Sequence, residues 1–173
     1  MPALWHPDRQ DPSGAARNAL LPGMHPTALK FRERARAAGL DVEPQELSDS
    51  ARTAAEAAAA VGCELGQIVK SVLLVDGGGE PLLCLCAGDR RIDLGSLGDG
   101  VGLARGREVK DLTGYAIGGV PPLGHDRPVR TVVDRSLQRF ETVWCAAGTP
   151  HTVFEVRLDE LLAAVPGAEV RDV

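Results

Sequence analysis

The sequence is poor in aromatic residues and in lysine, and it has no long apolar run. Aromatic side chains are 3% of the 173 residues, so a core must be built mainly from Leu, Val, Ile and Ala. No apolar run approaches the roughly 18 residues that cross a bilayer, and the N-terminus lacks a charged-then-apolar signal pattern. These absences predict a cytoplasmic protein without membrane contact, of a length suited to one domain.

The cysteines do not form the dense framework of a small disulfide-rich domain. Cys84 and Cys86 lie two positions apart on a predicted strand, so they share one face. Zinc would need two further ligands at a matched spacing, and the sequence has no second close pair of Cys or His. We therefore expect reduced, buried thiols and neither a metal nor another cofactor.

The formal net charge of -5 argues against bulk electrostatic binding to nucleic acid, and so against DNA as a partner. Contact with only the end of an RNA stays open, because a few local cations could suffice. The lysines are Lys30, Lys70 and Lys110, beside sixteen arginines. A candidate cationic patch, with a solvated surface as the alternative for each member, comprises Arg90, Arg91, Arg105, Arg107 and Lys110.

Proline and the apolar pattern divide the chain into an arm and one domain. Residues 1–26 hold five prolines without apolar periodicity, which predicts an extended or poorly ordered arm. Residues 27–173 carry the helix and strand patterns of a single domain. Helices are predicted over 27–38, 51–61, 94–97, 107–112 and 158–165, with a turn or a one-turn helix over 134–140. Strands are predicted over 67–75, 81–87, 101–104, 130–133, 142–146, 152–156 and 169–173.

The ends of the first two helices carry recognisable signals. Thr27 and Ser50 are their predicted N-caps, and Gly39 and Gly62 follow their last turns. Many short strands joined by turns, with helices between them, favour an α+β fold. We expect a mixed, curved β-sheet or small barrel surrounded by helices rather than a doubly wound parallel sheet.

Lys70 is the first candidate for chemistry, because it lies in the middle of an apolar predicted strand. An ammonium group there is costly to bury unless it is paired or meets an anion. A functional lysine at this position would bind a phosphate or a carboxylate. The alternative is a stem that lies along the sheet with its charged head in solvent.

The second candidate is the loop from Gly118 to Gly124, which combines adjacent glycines with adjacent prolines. Glycine permits positive φ and close backbone approach, and the prolines stiffen the rest of the loop. Bare amides in such a loop can form an anion-binding concavity. An ordinary tight connection is the alternative, and position alone favours it. The Lys-Ser/Thr pair that ends a Walker loop is missing here.

Weaker candidates lie after the predicted strand at 142–146. His151 could act as a donor, acid or base, although a solvent-facing turn histidine is the commoner role. His125, just after the glycine loop, is a weaker candidate still. Cys145 with His151 would make a nucleophilic pair, but a strand interior suits a reactive thiol poorly. The sequence has no Gly-x-Ser-x-Gly elbow.

Five segments, in this order and spacing, resemble the YbaK/EbsC family and the editing domain associated with prolyl-tRNA synthetase. They are QIVKSVL at 67–73, GDRRIDL at 88–94, LTGYAIGGVPPLG at 112–124, VVDRSL at 132–137 and AAGTP at 146–150. The resemblance covers about 50–173 and leaves out the proline-rich arm. It implies a curved, mixed β-barrel with helices around it.

The same resemblance implies hydrolysis, in trans, of the ester bond of a mischarged aminoacyl-tRNA, often tRNA for proline. It implies the acceptor end of an aminoacyl-tRNA as partner, and it admits an aminoacyl-tRNA synthetase as a second one; the oligomeric state stays open. Lys70 would be the pocket lysine, and Gly118 and Pro122 the ends of a Gly-x-x-x-Pro loop around the ester. The catalytic pair is thus Lys70 and Gly118, and the substrate-binding set is Ser71, Gly119, Val120, Pro121, Pro122, Thr149 and His151.

Ser71 stands where relatives often carry Thr or Asn, so Cys, Ala, Ser and Thr all stay open as the amino acid removed. Water, a tRNA hydroxyl and the substrate's own side chain stay open as nucleophile. One alternative function is a non-catalytic module that binds tRNA or a synthetase with the same fold. Another is a thiol-dependent hydrolase that uses Cys145.

Overall fold

A computed structural model describes residues 23–48, 51–165 and 167–173. The predicted N-terminal arm lies outside the described residues apart from 23–26, and Ser50 also lies outside them. The helices are α1 (Pro26–Ala37), α2 (Ala54–Val61), α3 (Gly106–Thr113) and α4 (Leu158–Ala164), with short 3₁₀ turns at Leu65–Gln67, Leu94–Leu97 and Arg135–Arg139. Every described helix is too short or too polar to cross a bilayer.

The described strands form two sheets. They are β1 (Gln45–Glu46), β2 (Val69–Val75), β3 (Pro81–Ala87), β4 (Gly102–Leu103), β5 (Arg130–Asp134), β6 (Thr142–Ala146), β7 (Thr152–Arg157) and β8 (Glu169–Arg171). The larger sheet has the order β4-β2-β3-β5-β8, and the smaller one β1-β7-β6. The pairs β3–β5 and β5–β8 are parallel and the others antiparallel, so the larger sheet is mixed.

The α+β prediction with a mixed sheet is confirmed, and the two described sheets do not close into a barrel. They approach each other at a parallel bridge between Ile68 and Trp144. Phe31 of α1 and Phe154 of β7 are fully buried, and their ring centroids lie 4.9 Å apart. Leu, Val and Ala side chains from both sheets complete this core, as the shortage of aromatic residues requires.

Strand β3 is buried on both faces, which explains its unbroken apolar sequence. Leu83 and Leu85 face the core between the sheets, whereas Leu82 and Cys84 pack against a second cluster with Leu97. Cys84 and Cys86 are both fully buried, as expected for small apolar side chains. Burial raises the pKa of both thiols, to about 12 for Cys84 and about 11 for Cys86.

Two predicted helix caps were wrong. Helix α1 begins at Pro26, and the Nδ1 atom of His25, not a group of Thr27, caps it by accepting from the Thr27 amide at 3.1 Å. Helix α2 begins at Ala54 rather than at residue 51. Thr53 has extended backbone and caps α2, so the alanine run alone did not locate the helix start.

Replacing Thr53 by alanine should lower the free energy of unfolding by about 1 kcal/mol. The Thr53 hydroxyl accepts from the Glu56 amide at 3.2 Å, and the Glu56 carboxylate accepts from the Thr53 amide at 2.8 Å. The substitution leaves the Glu56 amide without that acceptor. Urea denaturation would measure the loss. Arg52→Ala is the neighbouring control, and an equal effect of both variants would contradict a capping role.

The candidate site lies along an edge of β2 that is only partly paired. Strand β4 pairs with β2 only at Leu74 and Val75, at the far end from Lys70. Among the described strands, none pairs with residues 70–72 on the side opposite β3. The backbone of β2 is therefore open along the part of the strand that carries Lys70.

Candidate active site

A cleft of about 280 Å³ lies along this open edge of β2. The loop residues Gly118 and Val120 line it together with the start of α2. Trp144 of β6 and Pro150 also belong to the lining. The residues of this ester cleft, as we name it, are Leu47, 51–54, Ala57, 68–72, Gly118, Val120, 144–146, Pro150 and Val153.

The glycine at 118 is required by a tight turn. The Gly119 amide donates to the Ala116 carbonyl at 3.0 Å, which closes a four-residue turn. Gly118 is the third residue of this turn and has φ +85°, the combination that defines a type II turn. A residue with a side chain is strained at this φ, so the backbone conformation itself selects glycine.

The glycine at 119 is required by close packing. The Gly148 amide donates to the Gly119 carbonyl at 3.0 Å, and a Cβ atom at 119 would lie 2.6 Å from the Thr149 Cα. Gly148 has φ +104°, and its own Cβ would lie 2.8 Å from the carbonyl oxygen of Thr27. The loop, the turn at 147–151 and the start of α1 are thus stacked backbone against backbone.

Three side chains anchor the far end of the loop. His125 Nε2 lies 2.8 Å from the Pro121 carbonyl oxygen, so this nitrogen must carry the hydrogen. Arg34 of α1 and the Tyr115 hydroxyl both donate to the Gly124 carbonyl, at 2.8 and 2.9 Å. The carbonyls of the loop are therefore tied to fixed groups, and this leaves the loop little freedom to move.

His125 should make stability depend on pH. Burial lowers its pKa below the ordinary value, and the nearby Arg34 guanidinium adds to this. Because the folded pKa is the lower one, the unfolded chain binds a proton first. The contribution of His125 to the free energy of unfolding is intact above about pH 6.5. It is lost as the pH falls through the folded pKa, by at most about 1.4 kcal/mol per pH unit.

Urea denaturation between about pH 7.5 and pH 5.5 would measure this dependence. His125→Gln keeps a donor for the Pro121 carbonyl but cannot titrate, so the decline at acid pH should become shallower. A variant whose stability falls as steeply as that of the original chain would contradict the assignment to His125.

Lys70 reaches across the sheet from the ester cleft. Its ammonium group donates to the main-chain carbonyl of Arg90, which lies just after β3. It forms no ion pair with any carboxylate in the described ranges. The next side chain, Ser71, has a buried hydroxyl for which the described residues offer no partner. Both residues line the cleft.

Cys145 also belongs to the cleft wall, but it is not suited to attack a substrate. Its side chain is 1% exposed, and burial raises the pKa of the thiol well above its ordinary value. The nucleophilic form of cysteine is the thiolate, which such an environment disfavours. The geometry therefore gives no support to the thiol-dependent alternative.

The structure brings some of the expected site residues together and not others. Lys70, Ser71, Gly118 and Val120 all line the ester cleft. Gly119 and Thr149 pack against each other beside it. Pro121 is held by His125, and Pro122 lines a separate hollow near 122–131.

His151 does not line the cleft. Its carbonyl accepts from the Leu47 amide at 2.6 Å, and its Nδ1 atom is buried without a partner among the described residues. Ala54, Ala57, Trp144 and Pro150 line the cleft but were not expected there. The alanine run did signal that another element could approach α2 closely.

In the part of the chain that the structure describes, no group of three His, Cys, Asp or Glu side chains could bind a metal ion. The absence of a cofactor stays a prediction. The residues that line the ester cleft carry main-chain amides, the Lys70 ammonium, which is bonded to the Arg90 carbonyl, and the buried Ser71 hydroxyl. The amides of Gly118 and Val120 find no acceptor among the described residues. Such donors suit an oxygen atom on which negative charge develops.

Comparisons with known proteins agree on one family. The model of the aminoacyl-tRNA editing domain matches residues 48–164. The chain is 33% identical over 120 residues to the uncharacterized protein YwhH of Bacillus subtilis. The aligned region covers 67% of this chain and 76% of that protein. It is 26% identical over 125 residues to EbsC of Enterococcus faecalis, named as a candidate Cys-tRNA(Pro)/Cys-tRNA(Cys) deacylase, covering 69% of this chain and 76% of that one.

A solved structure supports the same family assignment. A crystal structure described as a candidate trans-editing enzyme for prolyl-tRNA synthetase superposes with a TM-score of 0.81. The two sequences are 42% identical, and the match covers 86% of this chain and 97% of that one. The matched family region includes both β2 with Lys70 and the loop with Gly118. The chain therefore belongs to the aminoacyl-tRNA editing domain family.

Proposed function

We propose that this protein hydrolyses, in trans, the ester bond between a wrong amino acid and the ribose of a tRNA. The observation that carries the proposal is the meeting of Lys70 and Gly118 in one cleft. They are 48 positions apart in the chain, and both residues line the same hollow, which supports a shared role for the lysine and the rigid turn. The cytoplasm, where charged tRNA is used, is the proposed location.

Stabilisation of the oxyanion is the first chemical requirement. When water or another hydroxyl attacks the ester carbonyl, its oxygen becomes negative, and then the bond to the ribose oxygen breaks as that oxygen takes up a proton. The free amides of Gly118 and Val120 are the proposed donors to the oxyanion. One such donor contributes roughly 100- to 1000-fold in rate when it is held in place, as this loop is.

A strong nucleophile is not required, because an aminoacyl ester is already activated. Positioning of the attacking group can supply much of the remaining rate. Burial raises the pKa of the Cys145 thiol and so disfavours its thiolate, and in the described chain Ser71 has no base within hydrogen-bonding distance. Water, a tRNA hydroxyl and the substrate's own side chain remain the candidate nucleophiles.

Pocket size is the proposed source of selectivity. At about 280 Å³ the ester cleft lies near the lower end of the range for small-molecule sites, so small amino acids suit it best. Cysteine, alanine, serine and threonine are the proposed set. The names of EbsC and of the solved relative point to tRNA for proline, which we propose as the tRNA. Discrimination by one methylene is worth about 1–3 kcal/mol.

A panel of mischarged tRNAs tests the proposal. Each of cysteine, alanine, serine and threonine is attached to tRNA for proline, and release of the free amino acid is followed over time. We expect release from at least one of them well above the rate without protein. Cys145→Ser should retain the activity of the original chain. Tight binding of every tRNA without release would instead identify a non-catalytic binding module.

A further inference from the structure

A second hollow lies next to the ester cleft, and half of its lining residues are arginine. Its volume is about 400 Å³, so it is larger than the ester cleft. We name it the arginine pocket, and its residues are Arg90, Arg91, Asp134, Arg135, Ser136, Arg139, Asp172 and Val173. Four guanidinium groups around one concavity are unusual in a chain whose net charge is -5.

Two of the four arginines are already paired. Arg139 binds Asp89 through both terminal nitrogens, at 2.8 and 3.1 Å. Arg135 lies 3.3 Å from a carboxylate oxygen of Asp172. These contacts hold the two side chains in position and neutralise their charge locally.

The side chains of the other two arginines of the pocket have no hydrogen-bonded partner among the described residues. Arg90 and Arg91 are exposed, and in the described ranges neither side chain makes a hydrogen bond or an ion pair. The other aspartate of the pocket, Asp134, is only 5% exposed. It accepts from the Ser136 amide at 3.3 Å and from the Ser136 hydroxyl, so its oxygens are engaged within the fold. The arginine pocket therefore presents to a ligand two guanidinium groups, those of Arg90 and Arg91, that have no carboxylate partner among the described residues.

Lys70 connects the two hollows. It lines the ester cleft, and its ammonium group donates to the carbonyl of Arg90, which lines the arginine pocket. The two hollows are thus linked through the Lys70 side chain. A chain of nucleotides with its terminal ribose in the ester cleft has its preceding phosphates nearby, and the planar fork of an arginine matches the geometry of phosphate oxygens.

We propose that the arginine pocket binds the phosphodiester backbone near the 3′ end of the RNA, with Arg90 and Arg91 as the phosphate ligands. The proposal rests on the function proposed above, and it adds a binding site outside the reacting centre. It also explains how an acidic protein can bind RNA, because the contact is confined to the end of the molecule. The candidate patch residues Arg105, Arg107 and Lys110 line neither hollow.

Binding of an uncharged acceptor-stem RNA hairpin with a single-stranded 3′ end tests this without catalysis. Fluorescence anisotropy at several salt concentrations gives the dissociation constant and its salt dependence. Arg90→Ala/Arg91→Ala should raise the dissociation constant roughly tenfold at low salt. It should also lower the slope of log K against log salt by about 0.7 to 1 for each arginine. Arg127→Ala, an exposed arginine outside both hollows, removes a charge and should change neither quantity.

The outcomes separate the two proposals. Equal RNA affinity and slope for the double variant and the original chain would overturn the arginine pocket as an RNA site. If the double variant loses binding of inorganic phosphate but keeps its affinity for RNA, the pocket is a site for free phosphate, and the proposed RNA site is overturned. If the double variant loses RNA binding but the original chain releases no amino acid, the pocket assignment stands and the proposed hydrolysis fails. Thermal denaturation of both variants checks that they fold.

Discussion

Gly119→Ala is expected to remove most of the hydrolytic activity, by more than about 100-fold in kcat/KM. The added methyl group would lie 2.6 Å from the Thr149 Cα and 2.8 Å from the Gly148 carbonyl oxygen, and both are backbone atoms that cannot rotate away. The loop must move by about an ångström to relieve the clash. Gly118 and Val120 move with it, and their amides are the proposed donors to the oxyanion.

The same substitution should cost about 1–3 kcal/mol in the free energy of unfolding, as is usual for overpacking. Gly102→Ala is the matched control, because a Cβ atom at 102 meets nothing within 4 Å and the backbone there is not left-handed. Circular dichroism and urea denaturation establish that each variant is folded before the rates are compared. Near-normal activity in folded Gly119→Ala would show that the position of this loop does not matter for the reaction.

Lys70→Met is expected to lower kcat/KM by about 10- to 150-fold. Methionine preserves the apolar stem beside the sheet but removes the ammonium, and a hydrogen bond to a charged group is worth about 1.5–3 kcal/mol. If the ammonium binds a ground-state phosphate, the loss lies in KM. If it stabilises the transition state alone, kcat falls and KM stays the same.

The variant also loses the bond to the Arg90 carbonyl, so stability has to be measured beside activity. Arg90 is exposed, and water can replace the lost donor, which limits the expected loss of stability. Lys110→Met on α3 makes the same chemical change at an exposed lysine outside both hollows and should leave the rate unchanged. A Lys70→Met enzyme as fast as the original one would exclude any role of the ammonium in the reaction.

The candidate site could be anticipated from the sequence only in part. Lys70 and the Gly118 loop were recognisable, since a lone lysine in an apolar strand and a Gly-Gly-x-Pro-Pro run are both unusual locally. Trp144, Pro150 and the start of α2 were not, because nothing in their own segments marks them as neighbours of the loop. His151 was expected near the substrate, but its turn directs the carbonyl to Leu47 and the residue lies outside the cleft lining.

The sequence by itself determined the local structure. Apolar runs ended by glycine and proline placed the β2–β3 hairpin, the strand at 142–146 and the last helix within a residue or two, because periodicity and turn chemistry act over short distances. The tertiary structure decided what depends on distant contacts. It left the edge of β2 open, stacked Gly119 on the turn at 148–149, and placed Arg90 against Lys70 between two hollows. Such contacts join residues far apart in the chain, and only the packing of the two sheets brings them together.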